Sequence, residues 1–87
     1  MIKKNNDRFD NLEEFIDNIT RGGEVEFFFN NKKYSITQPK GRIAFFEQEN
    51  EQSIIFFNDV NELITFKIDG EEIQNIVTII QPFFRCF

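Results

Sequence analysis

The side chains that usually carry out acid–base or nucleophilic chemistry are scarce in this chain. Its 87 residues include no histidine, the commonest general base and metal ligand, so neither a Cys-His nor a Ser-His pair can form. The single cysteine, Cys86, stands next to the last residue, a poor place to position a nucleophile. We interpret Cys86 as a small apolar residue, with a tether to another chain as the alternative. The sequence predicts a protein that is not an enzyme, with no catalytic residue and no cofactor.

Carboxylates are the other groups that could do chemistry, as ligands of a divalent cation. They cluster twice, as Glu13, Glu14 and Asp17 and as Asp69, Glu71 and Glu72. A calcium loop needs alternating acids, then a glycine and a distal glutamate, and neither cluster has that order. Acids in the first turn of a helix complement its dipole, and outward acids solvate its exposed face. We therefore predict solvated surface at both clusters and no metal site.

One group of cations lies beside aromatic residues and could bind single-stranded nucleic acid. It consists of Lys32, Lys33, Tyr34 and Phe28, with Lys40 and Arg42 nearby. Aromatic stacking combined with cations suits unpaired bases. The chain has 15 acidic and 10 basic residues, however, and its net charge of −5 opposes binding to phosphates. We therefore disfavour nucleic acid as a partner and expect another protein with a basic surface.

Length and composition indicate one domain, residues 1–87, in which residues 1–8 are expected to be loose. A single cysteine excludes an internal disulfide framework, which fits a reducing compartment. The segment after Met1 is polar, unlike the apolar stretch of a signal peptide. No run approaches the ~18 apolar residues of a membrane span. We expect a cytoplasmic protein with no membrane partner.

The elements that must position these side chains begin with a helix and a hairpin. Apolar residues recur at helical spacing from Phe9 to Ile19 and predict a helix over residues 11–21, capped by Asn11 or Asp10 and stopped by Gly22-Gly23. Residues 24–38 predict a β-hairpin around Asn30-Asn31, because asparagine tolerates the positive φ of a tight turn. A two-residue loop there brings apolar side chains onto one face. On that face we expect a core of Phe27, Tyr34, Ile36, Leu12 and Ile16.

Residues 42–48 and 52–57 predict two further strands, joined by a tight polar loop near Glu49-Asn50. Such a loop assigns one face to Ile43, Phe45, Ile54 and Phe56. The opposite face then collects Ala44, Phe46, Ile55 and Phe57.

Two short helices are expected after the strands. Asn58 or Asp59 caps the first of them, and a brief extended link follows over residues 67–70. Asp69, with Glu72 three residues on, has the capping pattern that would open the third helix, which Pro82 would end. The order α-β-β-β-β-α-α predicts an α+β fold. Its four-stranded antiparallel meander would carry the first helix on one face and the two C-terminal helices at the edge or across the other face.

Four runs of residues carry a resemblance to other proteins: 11–15, 26–36, 62–64 and 67–70. In these runs the chain resembles a group of small uncharacterised proteins from low-GC Gram-positive bacteria and their mobile elements. That group usually has Asn-Gly in the hairpin turn, where this chain has Asn30-Asn31, and the Phe-rich tail is not part of its pattern. The resemblance implies an α+β domain and no activity, so it transfers no functional residue.

Adjacent phenylalanines occur in three predicted strands, at positions 27–28, 45–46 and 56–57. Neighbouring side chains in a strand point to opposite faces, so both faces of the sheet receive rings. The second face must be covered by the third helix and the tail, by a second copy or by a partner. We expect the tail, residues 83–87, to be ordered on that face near Phe46 and Phe57, or to do the same in a twin. The candidate interaction surface is Phe28, Phe46, Ile55, Phe57, Phe83, Phe84 and Phe87, with the rim acids Glu13, Asp17, Glu49 and Glu51.

These patterns predict a non-catalytic, acidic protein-interaction module. By analogy with small anti-defence proteins, its expected form is a phage- or plasmid-borne inhibitor of a basic host protein. The alternative is a structural homo-oligomer, such as a homodimer that pairs through the Phe-rich sheet face or the C-terminal tail.

Overall fold

The structure, a computed structural model, describes residues 8–86. Residues 1–7 of the segment expected to be loose, and Phe87 of the candidate surface, lie outside the described residues. Ten α-helices and β-strands follow one another within these residues. They are α1 (Leu12–Thr20), β1 (Glu24–Phe29), β2 (Lys32–Thr37), β3 (Ile43–Glu47), β4 (Ile55–Phe57), α2 (Val60–Ile64), β5 (Lys67–Ile68), β6 (Glu71–Glu72), α3 (Ile73–Ile76) and β7 (Gln81–Cys86).

The main sheet is antiparallel and has five strands in the order β4-β3-β2-β1-β7. The α+β class and the meander of the first four strands are confirmed, but the sheet is one strand larger than predicted. Residues 83–86 of the tail belong to β7, beside β1, so their predicted position over the second face, near Phe46 and Phe57, is wrong. Pairing at the sheet edge satisfies the backbone N–H and C=O groups of β7 that point toward β1, which packing across a face would not do.

The first helix matches its prediction to within one residue at each end. The Asn11 side chain caps it by accepting a hydrogen bond from the Glu14 N–H at 2.8 Å. Gly22 follows with a φ of 86°, which suits glycine at a helix end. Phe15 and Ile19 are buried, whereas the predicted core residues Leu12 and Ile16 are only half-buried against the core.

The β1–β2 hairpin is confirmed with the predicted register. Phe27 lies opposite Tyr34 and Phe28 lies opposite Lys33. Both turn residues, Asn30 and Asn31, are left-handed, with φ values of 53° and 65°. This is the turn whose twist matches the twist of the flanking strands.

The predicted register between β3 and β4 is wrong by one residue. The loop is longer than expected because a short 3-10 turn, Glu51–Ser53, precedes β4, and the Ser53 hydroxyl accepts from the Glu47 N–H at 2.9 Å. Since side chains alternate along a strand, a one-residue slip exchanges the faces of the whole strand. The observed pairs are Ile43 with Phe57, Ala44 with Phe56 and Phe45 with Ile55.

The segment predicted as a link and a helix cap folds as a second hairpin. Asp69 and Gly70 form a tight turn between β5 and β6, with φ values of 53° and 86°. Asp69 therefore does not cap α3, which begins after Glu72 without a side-chain cap and is a single turn long. Pro82 lies inside β7 instead of ending a helix. The preceding helix, α2, is capped by Asp59 as predicted.

All three helices contribute to one core, on one face of the sheet, which we call the inner face. Phe15 and Ile19 of α1, Leu63 of α2 and Ile73 of α3 belong to the same buried cluster as Phe27. The two C-terminal helices therefore do not cross the second face, as one form of the prediction had them do. Within residues 8–86, none of the helices has the length and apolar character that a membrane span requires.

Candidate interaction surface

The opposite face of the sheet, the outer face, carries aromatic side chains. Register places them there, because residues opposite one another in an antiparallel pair share a face. Phe28 lies opposite Lys33, Phe46 opposite Ser35, and Phe84 opposite Glu26. The outer face carries six large apolar residues: Phe28, Phe46, Ile54, Phe56, Phe83 and Phe84.

Most of these side chains are open to solvent. The exposed fractions are 38% for Phe28, 46% for Phe56, 42% for Phe83 and 44% for Phe84. No helix among residues 8–86 packs over them, since the buried apolar residues of α1, α2 and α3 all belong to the inner-face core. Exposed apolar residues scattered singly are normal, but a rimmed apolar patch marks an interaction site.

The outer face divides into two patches with a polar strip between them. The β1–β7 patch consists of Phe28, Phe83 and Phe84, and the β3–β4 patch of Phe46, Ile54 and Phe56. The strip is β2, whose outward residues are Lys33, Ser35 and Thr37. The Gln48 amide spans part of it, donating to the Ser35 hydroxyl at 2.8 Å and to a Glu26 carboxylate oxygen at 3.2 Å.

A β-bulge shapes the β1–β7 patch. The register between β1 and β7 shifts between Glu26 and Phe27, so β7 has one extra residue there. Bulges re-aim side chains. Here the Phe83 ring lies against the Phe28 ring, with 4.7 Å between centroids and a tilt of 44°. A groove of about 640 Å³ adjoins this patch. Its lining residues are Phe28, Phe29, Asn30, Asn31, Ile79 and Gln81.

The cations predicted to form one group are divided between the two patches. The Lys33 ammonium lies 5.6 Å from the centroid of Phe28, and the Arg42 guanidinium lies 4.1 Å from that of Phe56. Lys32 and Lys33 begin β2, whereas Lys40 and Arg42 follow its other end. The predicted basic-aromatic grouping is therefore assembled only in part: Lys33 lies over Phe28 as expected, whereas Arg42 lies over Phe56 in the other patch.

The predicted rim acids are divided as well. Glu49 and Glu51 lie in the β3–β4 loop, at the end of the sheet beside Ile54. Glu13 and Asp17 lie on α1, in the opposite layer from the outer face, and Asp17 forms a 3.0 Å ion pair with Arg21. Of the four predicted rim acids, only Glu49 and Glu51 can border the outer face.

Two predicted surface residues face the core instead. Ile55 and Phe57 lie opposite Phe45 and Ile43, so they belong to the inner face, and the Phe57 ring contacts the Phe66 ring at 5.6 Å. Ile54 and Phe56 take their places on the outer face. All four positions are apolar, so alternation of polarity could not reveal which pair faces out.

The strand β7 is anchored to the inner layer through its last residues. The Arg85 guanidinium lies 3.9 Å from the centroid of the buried Phe9 ring and pairs with Glu14 at 3.2 Å. The Asn18 amide donates to the Cys86 carbonyl at 3.5 Å. Gly23 has no room for a side chain, because an added Cβ would overlap that carbonyl and Asn18. The exposed thiol of Cys86 is free.

The inner face also has a cavity, of about 440 Å³, that sequence reasoning missed. Its wall contains Tyr34 and Phe45, whose rings stack at 5.4 Å with only 14° between their planes. Burial raises the pKa of the Tyr34 hydroxyl, and the nearby carboxylates of Asp69 and Glu47 raise it further. The phenol therefore stays protonated to a higher pH than an exposed tyrosine does. The sequence signal that could have revealed this cavity is the turn after Ile68, because the β5–β6 hairpin that it forms lines one side of the cavity.

Comparison with known proteins finds no matching family model, no similar curated protein and no similar solved structure. The resemblance to small proteins of low-GC Gram-positive bacteria thus gains no support from these comparisons. Among the side chains of residues 8–86, no group of three or more cysteines and carboxylates could hold a metal ion. The site must be interpreted from its own geometry.

Proposed function

We propose that this protein is a non-catalytic interaction module that docks another protein on the outer face of its sheet. The observation that carries the proposal is the set of four phenylalanines, Phe28, Phe56, Phe83 and Phe84, each about two-fifths exposed on a single face. Aromatic rings are enriched where proteins bind one another, because they bury large areas with few rotatable bonds.

The net charge of −5 supports a partner with a basic surface. The outer face itself is mixed, with Lys33 and Arg42 over its rings and Glu26 beside them, so the acidic field comes from the rest of the molecule. Such a field speeds encounter with a basic protein more than it strengthens the final complex. The specific form of this proposal is that the protein is phage- or plasmid-borne and inhibits a basic host protein; it is an analogy that rests on size, on charge and on the resemblance to small proteins of low-GC Gram-positive bacteria.

Site-specific photo-crosslinking tests the proposal, because it captures a bound protein whose identity is then read by mass spectrometry. A benzoyl-phenylalanine in place of Phe56 or Phe28 keeps the aromatic character of each patch, and the same group in place of Glu13 is the matched control on α1. In cells that encode the protein, we expect the outer-face positions to give an adduct with one basic protein and position 13 to give none. Adducts that are the same from both layers would contradict docking on the outer face.

Association rates measured with the purified partner then test whether the acidic charge of the protein speeds its encounter with a basic surface. Added salt should slow association more than it alters dissociation, because the field acts over distances that salt screens. The double change Glu49→Gln, Glu51→Gln should lower the association rate more than Glu13→Gln, Asp17→Asn does. An association rate indifferent to salt would refute the basic-partner proposal while leaving outer-face docking intact.

A further inference from the structure

The cavity on the inner face, of about 440 Å³, has the size and the lining of a small-molecule site. Ligand pockets in proteins measure about 300–1,000 Å³ and combine apolar walls with a few polar groups that orient the ligand. This cavity lies between the main sheet and the β5–β6 hairpin. Its apolar wall includes Phe45, Phe66 and Ile68, and the rings of Phe45 and Phe66 pack at 5.4 Å with a tilt of 58°.

The Tyr34 hydroxyl is a polar group that opens into this cavity. Tyr34 is only 5% exposed, and its ring stacks on Phe45 in the wall. Among residues 8–86, no polar group hydrogen-bonds the hydroxyl. The hydroxyl is nevertheless not sealed off, because Asn18 Oδ1 is the one side-chain atom of the described residues that is both fully buried and without a partner. The phenol therefore offers an unused donor and an unused acceptor to a molecule in the cavity.

Two carboxylates lie near that hydroxyl. Glu47 lies directly opposite Tyr34 in the β2–β3 pair, so it projects from the same, inner face. Asp69 lies in the β5–β6 turn, and its carboxylate accepts a hydrogen bond from the Asn30 amide at 3.0 Å, which ties this turn to the β1–β2 turn. Both carboxylates line the cavity, and the charge of each raises the Tyr34 pKa. In the part of the chain that the structure describes, neither forms an ion pair.

Lys32 and Lys67 also line the cavity, so its wall contains two cations as well as two anions. Both lysines are exposed, and their long stems allow the ammonium groups to stay in water at the rim. The charges that act on the Tyr34 hydroxyl are those of Asp69 and Glu47, and neither lysine offsets them. The potential around the hydroxyl is therefore negative, although the lining as a whole is balanced in charge.

We infer that this cavity binds a small organic cation, a free molecule in which an amidinium, guanidinium or ammonium group is joined to a flat apolar body. The body packs against Phe45 and Phe66. The cationic group donates to the Tyr34 oxygen and lies between the carboxylates of Glu47 and Asp69, because hydrogen bonds between ionised groups are the strong ones. Such a site goes beyond the proposed function, since a small molecule on the inner face is distinct from a protein on the outer face.

Three probes of one shape and different charge test the inference: the cation benzamidine, the neutral benzamide and the anion benzoate. Each is titrated to about 10 mM into the isotope-labelled parent protein, because ligands of this size bind in the millimolar range. With benzamidine we expect saturable amide NMR shifts at residues 66–69 and in β3. Benzamide should bind about tenfold more weakly, and benzoate should not saturate. Benzoate binding as tightly as benzamidine, or no saturation with any probe, would overturn the inference.

Charge-removing variants locate the cationic group. Glu47→Gln and Asp69→Asn each remove one carboxylate with little change of shape, and each should weaken benzamidine binding about threefold. Asparagine tolerates the φ of 53° at position 69, so the turn should persist. Glu71→Gln is the matched control, because it changes the net charge equally on the same hairpin but outside the cavity. Equal weakening by all three variants would show attraction by net charge alone and would overturn the site.

The ionisation of Tyr34 gives a measurement that needs no variant. A cation beside the hydroxyl stabilises the phenolate, so saturating benzamidine should move the alkaline titration of the labelled Tyr34 ring to lower pH. Benzamide should leave that titration unchanged. If saturating benzamidine also left it unchanged, the cation would not lie beside the hydroxyl, and the inferred site would be wrong.

Photo-crosslinking at position 56, repeated with benzamidine present, distinguishes a free small molecule from a basic side chain of a docked protein. Both carry the same cationic chemistry. We expect the outer-face adduct to persist, because the cavity belongs to the inner face. Loss of the adduct would show that the cavity holds a side chain of the partner and would overturn binding of a free small molecule, while outer-face docking is judged by the adduct formed without benzamidine.

Discussion

Phe27 and Phe28 are neighbours in β1, yet they belong to opposite faces of the molecule. Phe27 is 1% exposed and stacks on Tyr34 at 5.5 Å within a core that three helices close. Phe28 is 38% exposed and contacts the Phe83 ring and the Lys33 ammonium. The two faces are almost equally aromatic, so composition does not separate them. The difference lies in what covers each face: three helices close the inner face, whereas the rings of the outer face are exposed, which is why we propose the outer face as the docking surface.

The largest expected effect comes from truncating the two neighbours separately. Phe27→Ala should lower the free energy of unfolding by about 3–5 kcal/mol, because it leaves a cavity in the core. Phe28→Ala should cost less than about 1 kcal/mol, since much of that ring is already in water. Urea denaturation of both variants measures the difference. Equal costs would break the distinction between the faces.

The next effect concerns the anchor of β7 to the inner layer. Gly23→Ala forces a Cβ against the Cys86 carbonyl and Asn18, and such overpacking should cost about 2–3 kcal/mol. The control is Gly22→Ala, where the space is open but the φ of 86° is unfavourable for alanine, at about 1 kcal/mol. Amide spectra should show β7 disturbed in Gly23→Ala only. If both variants disturbed β7 equally, the close approach of Gly23 to the Cys86 carbonyl would not be what positions the strand.

A smaller effect tests the register of β4. Phe57 is half-buried against Phe66, so Phe57→Ala should destabilise the protein by about 1–2 kcal/mol. Phe56 is 46% exposed, and Phe56→Ala should cost under about 1 kcal/mol. Thermal or urea unfolding ranks the two variants. If Phe56→Ala destabilised the protein more than Phe57→Ala, the β4 register that a tight loop predicts would be the correct one.

How far the sequence predicts this structure depends on whether two signals agree. In the β1–β2 hairpin, polarity alternates and Asn30-Asn31 forms the turn, so pattern and turn chemistry determine one register. Residues 54–57 are all apolar, so the β4 register depends on the loop alone, whose 3-10 turn the sequence did not reveal. The pattern of β7 was hidden by Pro82 and by the bulge, which puts Phe83 and Phe84 side by side on one face. The sequence therefore predicted an aromatic outer face, but Ile54 and Phe56 replace Ile55 and Phe57 on it, and the acids Glu13 and Asp17 lie in the other layer. The rings of Phe83 and Phe84 reach the face from an edge strand and not from a tail that lies over it.

The smallest expected effect is on the ionisation of Tyr34, the only tyrosine of the chain. Burial in the fold raises its pKa above the ordinary value of 10.0, and the Asp69 and Glu47 carboxylates add to the shift. The folded state thus favours the protonated phenol. The stabilisation is complete below the pKa of the unfolded chain and is lost as pH rises through the pKa of the folded one. In a titration followed by absorbance, Tyr34 should ionise at a higher pH in the folded protein than in the protein unfolded by urea.

Two variants sharpen that measurement. Asp69→Asn and Glu47→Gln should each lower the Tyr34 pKa, but by less than unfolding does, because burial is the largest cause. A Tyr34 that ionises at the same pH in folded and unfolded protein would show that the inner face near the cavity is as open as the outer face.

Solvent contact of the phenylalanine rings tests the central claim most directly. In a dilute sample with labelled phenylalanine rings, a soluble paramagnetic gadolinium chelate broadens the signals of rings that water reaches. We predict strong broadening for Phe28, Phe56, Phe83 and Phe84 and none for Phe9, Phe15, Phe27 and Phe45, in line with their exposures. Protection of the first four rings in the monomer would mean that the chain covers its own outer face, and the proposed docking surface would not exist.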